Sequence, residues 1–88
     1  MVTIKSANLE QYINWLKNSY TDAMHGRWVH VFIDDLDKAK EYEIKQHTIF
    51  ECLSMVIGNS KALAYHHSMA DDIIKDASFT ADRVKEAI

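Results

Sequence analysis

The sequence predicts an all-α fold, a small bundle of three to four helices, and three observations carry that expectation. The 88-residue chain has no proline and only two glycines, Gly26 and Gly58, so the usual punctuation of β-rich proteins is nearly missing. Apolar residues recur at the i, i+3, i+4, i+7 spacing of helices with one buried stripe. Hydrophobic content of 48% beside 26% charge and a mean hydropathy of -0.26 is ordinary for a globular chain and far from the composition of disordered ones.

The first element is a helix over about residues 8–24. Leu9, Tyr12, Ile13, Leu16, Tyr20 and Met24 fall on one stripe, Asn8 has the short polar side chain of an N-cap, and His25 sits in the last turn before Gly26. Gly26 is then the expected left-handed residue that closes the helix.

RWVHVFI, residues 27–33, holds three β-branched and two aromatic residues in seven positions, a composition that favours a strand. Phase argues the other way. At roughly 100° per residue, Trp28, Val31, Phe32, Ala39, Tyr42, Ile49, Phe50, Leu53, Val56 and Ile57 project within one arc. The sequence therefore predicts a long second helix over about 27–57, kinked near Asp34-Asp35. The alternative is α+β, with short strands at 2–5 (VTIK) and 28–33, although a two-stranded sheet is marginal by itself.

Gly58-Asn59-Ser60 reads as helix end, turn and N-cap. Ala62, Leu63, His66, Met69, Ala70, Ile73 and Ala77 supply the stripe of a third helix over about 61–77, expected to form an antiparallel hairpin with the second. A short last helix follows, with Thr80 as its cap and Phe79 stapled onto Val84. No repeat or linker interrupts the chain, so residues 1–88 are expected to be a single helical domain.

Size and charge narrow the function. A domain this short buries only about 60 to 65% of the surface its unfolded chain exposes, which makes a partner subunit advantageous. MVTIKSANLEQ lacks the basic and apolar regions of a secretory signal, and no window reaches the roughly 18 apolar residues of a membrane span, so the expected location is cytoplasmic. Cys52 is the only cysteine; it excludes an internal disulfide and reads as a structural thiol. Net charge is -3, and residues 34–88 carry seven basic against eleven acidic side chains, which argues against a phosphate-backbone binder.

The chemistry-bearing stretches resolve mostly into helical faces. In YHHSMADDIIKD, residues 65–76, His66 lies at the centre of the apolar arc while His67 is turned about 100° from it, so the adjacent pair cannot hold one ion. His66 is expected to be a core histidine with a hydrogen-bond partner. His67 with Asp71, and His47 with Glu51, have the i, i+4 spacing that ligands need and are the candidate metal residues of an alternative reading, a metal- or small-ligand-binding protein. Their plainer reading is a solvated face of ion pairs, so no cofactor is expected. DDLDKAKEYEIK has Ala39 and Lys45 where a calcium loop needs glycine and glutamate. LSMVIGNSKALAY, residues 53–65, has the outline of a helix-turn-helix, a further alternative, but Asn59 follows the glycine where an apolar residue is usual. Asp35 and Gln46 fall inside the apolar arc, as polar residues that set register often do.

Trp15, Val29 and Ile33 lie off the main stripes and are the candidate partner-binding residues. The function these features favour is a non-enzymatic, regulatory or inhibitor-type protein of the immunity, antitoxin or phage-encoded modulator class. It is expected to bind a protein partner and to form a homo-oligomer.

Overall fold

The computed structural model describes residues 6–87, with side chains from residue 8 onward. Its elements are α1 (Ser6–Phe32), α2 (Leu36–Ile57) and α3 (Asn59–Ala87), and no strand occurs among the described residues. The expectation of an all-α bundle is met. The strand alternative fails at 28–33, where residues 28–32 are helical and Ile33 opens a turn; the other proposed strand, at 2–5, lies outside the described residues.

The boundaries differ from the expected ones. Gly26 does not end α1, which runs through it to Phe32. A mid-helix glycine costs about 1 kcal/mol against alanine, and the reason for it lies across the helix interface. A Cβ built on Gly26 would come 2.6 Å from Tyr42 Cε1, so the tyrosine ring of α2 rests on bare α1 backbone. His30 stacks on the same ring, with centroids 5.2 Å apart and planes 19° apart. The β-prone residues after Gly26 stay helical because packing outweighs propensity: Val29 is buried and Trp28 packs on Phe32 one turn later.

The continuous helix over 27–57 is likewise corrected, since the chain reverses at 33–35. Asp34 takes the left-handed conformation (φ 62°), its N–H donates to Val31 O, and Asp35 N–H donates to His30 O at 2.9 Å. This is the Schellman pattern, with Asp34 in the place usually held by glycine. Asp35 then caps α2, its carboxylate accepting from Lys38 N–H at 3.3 Å. One aspartate ends a helix and the next begins another. Three non-helical residues stand in for almost one helical turn, so the apolar phase survives the reversal and periodicity alone does not reveal it.

Gly58 is the whole link between α2 and α3. With φ 92° it donates its N–H to Ser54 O and accepts from Ala62 N–H, closing one helix and opening the next. No break follows at 78–80, and α3 is one helix of 29 residues. Thr80, expected as a cap, donates back to Asp76 O inside the helix, and Phe79 is exposed rather than stapled.

Contacts that climb α1 descend α2, whereas α3 ascends beside α1: Leu16 meets Leu53 and Ala62, Tyr20 meets Phe50 and His66, and His25 meets Asp76. α1 is the central element, and the contact between α2 and α3 is the smallest of the three. Fully buried Ala62, Ala77 and Ala81 line the seam of α3, small side chains that let helix backbones come close. The core is thin, and the molecule extends 54 × 24 × 19 Å. No helix among the described residues is long and apolar enough to cross a membrane.

Candidate functional site

Polar side chains meet where the three helices cross. Tyr20 and Arg27 are seven residues apart on α1 and share a face; Glu43, Gln46 and Phe50 share one on α2; Leu63 and His66 share one on α3. These faces are the apolar stripes, so the helices that bury their greasy residues carry the phenol, amide and imidazole inward with them. Tyr20 is 2% exposed and Gln46 7%.

Elementary donor and acceptor rules fix the direction of the chain they form. Arg27 Nη1 donates to Gln46 Oε1 at 3.4 Å, and because a guanidinium has no acceptor, the amide orientation is set. Gln46 Nε2 then donates to the Tyr20 hydroxyl at 3.2 Å. Having accepted that bond, Tyr20 gives its own proton to His66 Nδ1 at 2.5 Å. His66 therefore carries its hydrogen on Nε2, which has no protein partner among the described residues. The relay runs in one sense, from cation to imidazole.

Electrostatics agree with this assignment. Burial holds the Tyr20 phenol above its usual range, against the opposing pull of the Gln46 bond and the Arg27 charge, with a small further rise from Tyr65. Burial also pushes His66 below the ordinary histidine value, and the neighbouring His67 and Arg27 charges add to it. A protonated phenol and a neutral imidazole are the partners the hydrogen bond requires.

The relay borders an open cavity of about 290 Å³ with Phe50 and Leu63 on its apolar side and Glu43 and His47 also lining it. Arg27 Nη2 is 3.9 Å from Glu43 Oε1, the two side chains being 29% and 57% exposed, and the guanidinium lies over the Trp28 ring. A second set of polar contacts ties α1 to α3: Thr21 and Tyr65 hydroxyls are 3.0 Å apart and both bond Lys17 O, and His25 Nε2 is 3.0 Å from Asp76.

The candidate residues read from the sequence are distributed as follows. Trp15 is 61% exposed and stacks on exposed Tyr12, with centroids 6.2 Å apart. Ile33 is half-buried in the first turn. Val29 is buried and belongs to the chain's own core. His47 pairs with Glu51 along α2 at 3.1 Å, while His67 and Asp71 are exposed on α3. Among the described residues no three His, Cys, Asp or Glu side chains converge as an ion would need. The helix-turn-helix outline at 53–65 has a one-residue link where that motif has three or four. Cys52 is half-buried against the core cluster of Leu16, Leu53 and Ala62.

Tyr20 and Arg27 are absent from the functional candidates that the sequence offers, although Tyr20 belongs to the apolar stripe of the first helix. A signal for Tyr20 exists: His66 at the centre of one stripe demands a partner, and Tyr20 and Gln46 lie in the stripes of the other two helices. Arg27 has no comparable signal. No protein-family model matches the sequence, and no curated protein or solved structure shows significant similarity to it.

Proposed function

We propose that the chain is a non-enzymatic protein of the regulatory or inhibitor type, one that acts by docking on another protein and that self-associates through the same surface. The observation that carries this reading is the exposed aromatic pair on α1, Tyr12 and Trp15, with half-exposed Leu9 one turn earlier. Their uncovered parts amount to roughly 250 Å² for the two aromatics, about a third of what one side of a standard interface buries. Tryptophan and tyrosine are also the residues in which binding energy concentrates.

The thin core supports the same reading, since a partner would cover apolar surface that three long helices leave outside. The acidic carboxylates of α3, Asp71, Asp72, Asp76 and Asp82, are all exposed and favour a protein over a nucleic-acid partner. The relay supports a non-catalytic role: a phenol whose pKa is raised stays protonated, and His66 Nδ1 is committed to accepting from it.

Sedimentation over a range of concentrations, with Tyr12→Ser/Trp15→Ser as the comparison, tests the reading. The wild type is expected to exceed its monomer mass of 10.2 kDa and the double variant to return to it. Helix content and melting should be unchanged, because exposed substitutions move stability by about 0.5 kcal/mol or less. A photo-crosslinker at residue 15, expressed in cells, is expected to yield adducts with protein. A wild type that stays monomeric and gives no such adduct would sink the proposal.

A further inference from the structure

Among the described residues, the donors at the two ends of the relay are only partly answered. Arg27 spends its five N–H groups on one long bond to Gln46 and a 3.9 Å approach to Glu43. His66 presents Nε2–H without a protein acceptor among the described residues, its other nitrogen being taken by Tyr20. Both residues line the same cavity, and Gln46, 7% exposed, is the buried strut that links them through Tyr20. Phe50 and Leu63 give that cavity an apolar side.

We propose that this cavity is a binding site for a small monocarboxylate with an apolar body, its anion held by Arg27 and His66 Nε2–H and its body laid against Phe50 and Leu63. A concave, mostly apolar site with a few convergent polar groups is the usual form of a small-ligand pocket, and a guanidinium matches a carboxylate with parallel N–H bonds. Burial first, and then the His67 and Arg27 charges, disfavour a positive His66, so a neutral imidazole offers its Nε2–H beside the guanidinium. About 290 Å³ is ample for a ring bearing a carboxylate. Glu43 is the opposing group: its carboxylate faces Arg27, but its side chain is 57% exposed and free to turn to solvent when a ligand anion takes its place. The site is separate from the Tyr12 and Trp15 surface and stands whether or not that surface binds a protein.

Titration of the full chain with benzoate, followed by amide and side-chain NMR shifts, tests the assignment, with benzyl alcohol and acetate as probes that lack the charge and the body. Benzoate is expected to give saturable shifts centred on Tyr20, Arg27, Gln46 and His66 and to bind about tenfold more tightly than either control. Arg27→Met should weaken benzoate about tenfold. Glu43→Gln, at an exposed position that leaves the fold intact, should tighten it several-fold by removing the competing anion. Benzoate shifts that fail to saturate or fall elsewhere, controls that bind as well as benzoate, or a Glu43→Gln variant with unchanged affinity would each overturn the proposal.

Discussion

Replacing Gly26 by alanine pits two effects against each other, and the structure decides between them. In an exposed helix the change stabilises by about 1 kcal/mol, because glycine is the poorer helix former. Here the new Cβ would sit 2.6, 2.8 and 2.9 Å from three atoms of the Tyr42 ring, closer than real Cβ atoms come to anything. The ring is not free to yield, since His30 stacks on it and the Lys45 ammonium lies over it, 5.3 Å from its centroid. Forcing a methyl into a packed contact costs about 1 to 3 kcal/mol. The net is a loss of about 0 to 2 kcal/mol, centred near 1, which lowers the midpoint by about 4 to 8 °C per kcal/mol in a domain of this size. Thermal melts of Gly26→Ala in the wild type and in a Tyr42→Ala background measure both terms. With the ring gone, the same substitution should stabilise by about 0.5 to 1 kcal/mol. A Gly26→Ala variant that is stabilised in the wild-type background refutes the packing of α2 on the bare backbone of α1.

The remaining predictions concern core, turn and relay. Leu53, fully buried where all three helices meet, should cost about 2 to 5 kcal/mol as alanine, a large part of the roughly 4 to 13 kcal/mol expected for 88 residues, read by chemical denaturation. At the first turn, Asp34→Gly should stabilise by several tenths of a kcal/mol to about 1 by relieving the left-handed strain, and Asp35→Ala should destabilise by about 0.5 to 1 through loss of the cap; denaturation midpoints that move the other way contradict the turn assignment. The relay predicts a dome of stability against pH. His66 is held below the ordinary 6.5, so as pH falls beneath that value the unfolded chain takes up its proton first, and stability present in full above it is lost on descent through the lower folded value. Tyr20 is held above 10.0, so as pH rises past that value the unfolded phenol ionises first and stability falls again. Denaturation of His66→Gln against the wild type should show the wild-type advantage shrinking on the acid side alone, and Tyr20→Phe should flatten the alkaline side; parallel curves would exclude the relay as the cause.

The helical character of the chain is written in its amino-acid order alone. Apolar spacing is a property of one helix and its immediate surroundings, so the stripes through Leu16, Leu53 and Ala62 are legible without coordinates, as is the demand that His66 find a partner. The turn at Gly58 is legible for the same reason, glycine being the residue that reaches positive φ at no steric cost. Tertiary structure decided what each punctuation mark means. Gly26 looks like a helix end and is a docking point for Tyr42, because the reason for its missing side chain lies sixteen residues away on α2. Asp34-Asp35 looks like a kink and is the reversal of the chain, because the left-handed state of an aspartate depends on the packing that holds it. Val29 looks unneeded by the core and is buried in it. The relay shows the same division: its residues stand on three separate stripes, and only the crossing of three helices brings a phenol, an amide and an imidazole within bonding distance and gives their hydrogen bonds a direction.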